Sequence, residues 1–213
     1  MQTGAGHGPI LLLGGGQSLL PGMDFLAHRL ERHDRLLILP YALPDSRFAE
    51  CFGLVQALFA KVGVTRSRLA IADDIVDAAR HLRCHAAVYL CGGNTFTLLA
   101  AMRASRLIPA LTAYRAAGGI VVGNSAGAIV LGHTIHHAHD PNHIGLRDFR
   151  GCDWLSGYSV WCHYSSSTHD HEIETVMLSR GERVLALSND AAVVLGPRGL
   201  ETCPGATAPR LFE

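Results

Sequence analysis

Residues 123–127 read Gly-Asn-Ser-Ala-Gly and follow directly on the apolar run 119–122. A strand that ends there, turns sharply at a serine and enters the apolar stretch 128–131 as a helix is a nucleophile elbow, G-x-S-x-G at a strand-to-helix junction. Small residues around Ser125 let the backbone turn tightly and leave the hydroxyl exposed. The amides that open the new helix face the same way and can receive a developing negative charge. The chemistry this predicts is attack by Ser125 on a carbonyl carbon. The plainer alternative is a Gly-rich turn with no chemistry.

A serine hydroxyl needs a base, and thirteen histidines compete for that role. His136, His137, His139 and His143 crowd the polar segment 133–151. Together with Asp140 they are ligand types that suit zinc. The segment lacks His-Glu-x-x-His or any comparable helical spacing, so it reads as a solvated polar loop and no metal is expected. His163 follows the β-prone run 158–162 and is expected at a strand's end, level with Ser125. It ranks ahead of His169, which opens a helix together with His171. To orient the imidazole, Asp190 at the end of another strand comes first, with Asp170, Glu172 and Asn189 as competitors. Ser, His, acid in that chain order differs from the Ser, acid, His order of α/β-hydrolases. Residues 92–95, Gly-Gly-Asn-Thr, follow a further apolar run. Two glycines there allow close backbone approach to a substrate oxygen. This turn reads as half of an oxyanion hole through Gly93, the N–H of Ala126 being the other half. Its alternative is a plain turn with Thr95 as helix cap.

The elements that position these residues alternate. Strands are expected at 10–13, 36–39, 68–72, 86–90 and 119–122. Helices are expected at 25–32, from a cap at Asp45 toward 62, and at 74–82, 95–104 and 108–116. That β-α-β-α order predicts an α/β fold with a mostly parallel sheet and helices on both faces. After residue 132 the pattern changes to the His-rich loop, a β-prone run at 158–162 and a helix at 169–178. Short strands at 184–187 and 191–195 then flank 188–190, and a turn at 196–199 follows. The last part is expected to add a small antiparallel extension. Ligands of open parallel sheets bind at the carboxyl ends of the strands, which is where Ser125 and the 92–95 turn fall.

Composition excludes several function classes. At 213 residues, 1–213 is expected as a single domain. Acidic and basic residues balance, 18 against 18, so no nucleic acid or other polyanion is expected as partner. No run of about 18 apolar residues exists, so no membrane span is expected. The start of the sequence carries no basic segment followed by an apolar one and a cleavage site, so no secretion signal is expected. Six scattered cysteines form no C-x-x-C pair and read as reduced thiols of a cytoplasmic protein.

The two blocks Gly92-Gly93-Asn94-Thr95-Phe96-Thr97-Leu98-Leu99 and Gly123-Asn124-Ser125-Ala126-Gly127-Ala128 sit about thirty residues apart. With Pro40-Tyr41-Ala42, Asp140-Pro141-Asn142 and His163-Tyr164, they make the chain resemble the peptidase E and cyanophycinase group of serine peptidases over nearly its whole length. The resemblance implies a doubly wound sheet related to class I glutamine amidotransferases. It implies a single peptidase E-like domain and an acyl-enzyme peptidase of small peptides with no cofactor. In that reading Ser125 attacks, His163 carries the proton, and the Gly93 and Ala126 amides hold the oxyanion. Asn94, Thr95, His169 and Asp170 are the expected substrate contacts.

Two positions depart from the family pattern. Where the family often has Glu in the last strand's turn, the closest register puts Asn189, and Asp190 one residue on is taken as the substitute. Asn can also orient a histidine, as in papain-like enzymes. Aspartyl dipeptidases of the family carry an arginine shortly after the catalytic histidine, but 168–178 contains no Lys or Arg. Asp-X specificity is therefore not expected. A cyanophycin-type pocket for arginine would draw on Asp170, Glu172 and Glu174. The competing readings are a non-catalytic binding module of the same fold and an esterase using the same serine. A monomer or homodimer is expected.

Overall fold

The computed structural model describes residues 7–16 and 19–213, so parts of the expected 1–213 domain, 1–6 and 17–18, lie outside the described residues. Apolar tetrapeptides form the centre of the sheet: β1 (Ile10–Leu13), β2 (Leu36–Leu39) and β4 (Ala87–Leu90) are buried at every position. Such unbroken apolar runs arise because both sheet faces are covered. Ile10 and Leu12 pack on one face, while Leu11 and Leu13 pack on the other. Helices α3 (Ile75–His81), α4 (Thr95–Ala104), α5 (Leu107–Ala116) and α6 (Ala126–Ile129) contribute to the first side. Helices α1 (Leu20–Ala27) and α2 (Phe48–Ala60) cover the second.

The main sheet has seven strands in the order β3-β2-β4-β5-β1-β8-β9, with β3 at Leu69–Ile71, β5 at Ile120–Asn124, β8 at Ala192–Gly196 and β9 at Gly199–Thr202. Strands β1 to β5 pair in parallel. Strands β8 and β9 extend the sheet antiparallel from β1, joined by the expected turn at 196–199. The fold class is thus the expected one. The extension differs in having a second layer, since β6 (Tyr158–Trp161), β7 (Arg183–Ala186) and β10 (Arg210–Phe212) form a separate three-stranded sheet in the order β10-β7-β6. Helix α7 (Ser166–Arg180) packs on that sheet around Trp161, Ile173 and Phe212.

Some local expectations shift. The first helix spans Leu20–Ala27 rather than 25–32, because Pro21 in its first turn favours initiation there. Asp45 opens a short 3₁₀ turn before α2 and makes no capping bond. Asp74 does cap α3, accepting from the Val76 and Asp77 amides. Asn94, not Thr95, caps α4 by accepting from Thr97 N–H. Among the described residues, no helix is long and apolar enough to cross a membrane.

Because β4, β5 and β1 are neighbours, the turns that leave their carboxyl ends are neighbours too. These are 91–94, the Ser125 turn and 14–16. The structure assembles its site at this point.

Candidate active site

Ser125 joins β5 to α6 with φ 50° and ψ −113°, a backbone conformation rare for any residue with a side chain. Its amide is held by Leu13 C=O at 3.1 Å. The helix that follows lies so close to β4 that a Cβ on Gly127 would stand 2.3 Å from the Leu90 carbonyl oxygen, so only glycine fits there. Strain maintained by such packing is typical of functional positions.

His163 follows β6 and is also left-handed, at φ 57°. Its N–H donates to Gly14 C=O at 3.2 Å, which ties the small sheet to the end of β1. The ring lies across the Ser125 turn: the Ser125 hydroxyl and His163 Nε2 are 2.8 Å apart. Gly15 sits against both, and a Cβ there would come within 2.7 Å of Ser125 Cβ and 2.5 Å of His163 Cε1. The third glycine-bearing turn closes in as well, with a Gly92 Cβ position 3.3 Å from Ser125 Cβ. The first amides of α6 have no intrahelical acceptor, so Ala126 N–H, next to Ser125, is free of the helix's own ladder.

The imidazole's other nitrogen meets Asn189, whose Oδ1 lies 2.6 Å from His163 Nδ1. An amide oxygen only accepts, so Nδ1 carries the proton and Nε2 is left as the acceptor of the serine proton. Here the expectation for Asp190 is corrected. Its carboxylate accepts from Ser188 Oγ–H at 2.7 Å and Thr207 Oγ1–H at 2.5 Å. Those hydrogen bonds, Thr207's first, hold its pKa below the usual carboxylate value. One residue of register decides which side chain turns inward. Gly16 N–H donates to Asn189 C=O at 3.0 Å and fixes residue 189 beside β1.

A cavity of about 110 Å³ opens beside Ser125 and His163, walled by Ile129, His137, His139, Trp161 and His169. His137 stacks on Trp161 at 5.1 Å and donates through Nε2–H to Val160 C=O at 2.6 Å. Burial lowers its pKa to about 4, so it is a neutral, structural imidazole at neutral pH. His139 contacts Glu172 at 3.1 Å. His136 packs edge-on against Phe149. Among the described residues, no group of three His, Cys, Asp or Glu side chains converges as a metal-ligand set. Cys162, directly behind the serine, is held as a neutral thiol because burial pushes its pKa up.

Of the four expected substrate contacts, only His169 lines this cavity. It accepts Ser165 N–H at Nδ1 (2.9 Å), which leaves Nε2–H as its donor. Asp170 instead binds Arg210 at 2.6 Å and the Tyr164 hydroxyl at 2.5 Å. Thr95 is fully buried, and its N–H and hydroxyl both donate to Asp140 Oδ2, at 3.0 and 2.5 Å. Asn94 donates to Pro141 C=O at 2.9 Å while capping α4. Asn94 and Thr95 are therefore committed to clamping the His-rich loop onto the turn. The sequence reading missed this clamp. Its signal was present in Asp140-Pro141-Asn142, a short polar motif inside an otherwise unpatterned loop.

Comparison with known proteins identifies the family and the fold. The family model of peptidase family S51 matches residues 10–202. No curated protein matches the chain in sequence. Solved structures with the same fold include a protein designated a peptidase E, from Listeria monocytogenes EGD-e. It has a TM-score of 0.73 at 16% identity and covers 95% of this chain and 100% of that one. A peptidase from an acI-B1 Actinobacterium gives a TM-score of 0.70 at 16% identity, covering 97% of this chain and 94% of its own. At that identity the likeness is one of fold.

Proposed function

This chain belongs to peptidase family S51 and is a peptidase-type hydrolase, and from that premise we propose that it cleaves small peptides through an acyl-enzyme on Ser125. The observation that carries the reading is the hydrogen-bonded chain from Ser125 Oγ to His163 Nε2 (2.8 Å) and from His163 Nδ1 to Asn189 Oδ1 (2.6 Å).

As Ser125 Oγ attacks the peptide carbonyl, its proton moves to His163 Nε2. The carbonyl oxygen becomes an oxyanion facing the amides of Gly93 and Ala126. Collapse of this intermediate breaks the C–N bond, and His163 returns the proton to the leaving amine. Water then repeats the sequence on the ester and regenerates the serine. Asn189 holds the ring and its tautomer throughout, but brings no charge to stabilise the imidazolium.

Substrate choice follows from the cavity wall. Among its described residues there is no Lys or Arg, and the nearby Arg210 is held by Asp170. A substrate beginning with Asp would find no permanent cation in that wall. The reading is therefore a small-peptide hydrolase without Asp-X specificity. Its six free thiols suit a reducing cytoplasm.

Two assays test it together: labelling with a fluorophosphonate, and a di- and tripeptide library read by mass spectrometry. Labelling that is lost in Ser125→Ala, together with peptide turnover, is expected. Ester turnover without peptide turnover would assign an esterase. Absence of labelling in the folded protein would assign a binding module.

A further inference from the structure

The cavity beside Ser125 is small, and a second, larger recess lies next to it in the chain, with no lining residue in common. Gly93, a proposed oxyanion donor, together with its neighbour Gly92 and with Asn124, the residue before Ser125, lines a groove of about 510 Å³. That volume lies within the roughly 300–1,000 Å³ usual for ligand sites. The rest of its wall is mainly apolar, with Leu54, Val55 and Leu58 on α2 faced by Leu19, Leu43 and Tyr89. Leu54 is 62% exposed, a large aliphatic side chain turned to water at the groove. Such a surface next to reacting groups marks a binding site better than scattered exposed leucines do.

The groove has a direction. Cys91, the residue before Gly92, has its Sγ 3.1 Å from Cys51 Sγ, which sets the turn against the first half of α2. Lys61 lines the groove at the other end of the helix, as its C-cap. Ten positions at 1.5 Å per residue separate Cys51 from Lys61, about 15 Å. An extended peptide covers that span in about four or five residues. The charges along the wall are unequal. Arg47 and Glu50 neutralise each other in a 2.8 Å ion pair, whereas Lys61 has no ion-pair partner among the described residues.

We propose that this groove is a subsite for the carboxyl-terminal side of the peptide. It would bind an apolar stretch along α2, with the free terminal carboxylate at Lys61. The inference builds on the serine-peptidase reading and extends it from dipeptides to apolar oligopeptides of about five or six residues.

Binding is measured by calorimetry on the Ser125→Ala protein, so turnover plays no part. The probes are Ala-Ala-Leu-Val-Leu, Ala-Ala-Ser-Gly-Ser and the C-terminal amide of the first. The leucine peptide is expected to bind at least tenfold tighter than the serine peptide. Ala57 is exposed on α2 and lines the groove. Adding Ala57→Trp is expected to remove most of that preference while thermal unfolding stays cooperative. Amidation is expected to weaken binding severalfold, and Lys61→Gln to weaken the free acid similarly while making it indistinguishable from the amide. Equal affinity for the leucine and serine peptides, or indifference to Ala57→Trp, overturns the proposal. A dimer in sedimentation that Ala57→Trp dissociates would assign the groove to a second copy and also overturn it. If the groove behaves as expected while the unsubstituted protein leaves every peptide intact, the peptidase reading fails on its own. If dipeptides are cleaved and the leucine peptide has no advantage, the groove fails on its own.

Discussion

Asn189 Oδ1 stands 2.6 Å from His163 Nδ1, so a neutral amide occupies the place where a carboxylate is commoner. Removing that acceptor in Asn189→Ala is expected to lower kcat by roughly tenfold to a hundredfold, since ring and tautomer are then held only by the serine. Asp190→Asn is expected to leave kcat within about twofold, because its carboxylate binds Ser188 and Thr207 instead. Steady-state kinetics on both variants decides the matter. The assignment fails if Asp190→Asn is the more damaging change.

The same contact sets the pH response. In Asn189→Asp a carboxylate would face Nδ1, and an adjacent opposite charge favours the imidazolium. The enzyme must therefore reach a higher pH before its base is free. The acidic limb of kcat/KM is expected to move upward by about one unit or more. An unmoved or lowered limb would show that residue 189 does not contact the ring in solution.

How far the sequence went is visible at these positions. Ser125 was legible because an elbow needs a strand, a turn and a helix in immediate succession, and all three are local patterns. The central strands were legible because burial on both faces leaves unbroken apolar runs. The partner of His163 was not, since 189 and 190 are adjacent in a short turn, and contacts with Gly16 and Thr207, distant in the chain, accompany the choice of which side chain faces the ring. Thr95 and Asn94 were misread for a related reason. Their partners, Asp140 and Pro141, lie 45 and 47 residues on, in a loop without periodicity. The separate sheet of β6, β7 and β10 was hidden because its strands have ordinary β composition and only their packing on α7 draws them apart.

Ser125 and His163 are expected to behave as one unit. Ser125→Ala and His163→Ala should each remove several orders of magnitude in kcat, with the double variant little worse than either. Thermal unfolding of Ser125→Ala should stay close to that of the parent, because the hydroxyl lies in a turn and its known side-chain partner is His163. Near-normal turnover by folded Ser125→Ala would falsify the nucleophile assignment. His169→Ala, which opens the cavity wall and removes the acceptor of Ser165 N–H, is expected to raise KM more than it lowers kcat.

Asp140 links the His-rich loop to the turn before α4. Asp140→Ala leaves the Thr95 N–H and hydroxyl, both buried, without their acceptor, a loss of about 1–3 kcal/mol for each donor that finds no other partner. The cavity wall carried by His137 and His139 would loosen with it. Expected results are a melting point lower by several degrees, faster proteolysis within 141–146 and a kcat/KM reduced by about tenfold or more. Unchanged proteolysis and activity would show that the loop is held without this clamp.

His137 supplies a stability prediction whose sign follows from burial. Burial lowers its folded pKa to about 4, whereas an unfolded histidine titrates near 6.5. Between those values the unfolded chain takes up a proton that the folded protein refuses, so acid favours unfolding. The stabilisation is complete above about pH 6.5 and declines as pH falls toward 4, by a total on the order of 3 kcal/mol. His137→Gln keeps an N–H for the Val160 carbonyl but has no titration in this range. Urea unfolding at pH 7 and at pH 4.5 should therefore show a smaller pH dependence in the variant, even if its stability at pH 7 is lower through the lost stacking on Trp161. Equal pH slopes in the two proteins would mean that His137 takes up its proton without unfolding the chain, and that the wall of the cavity opens to water in acid.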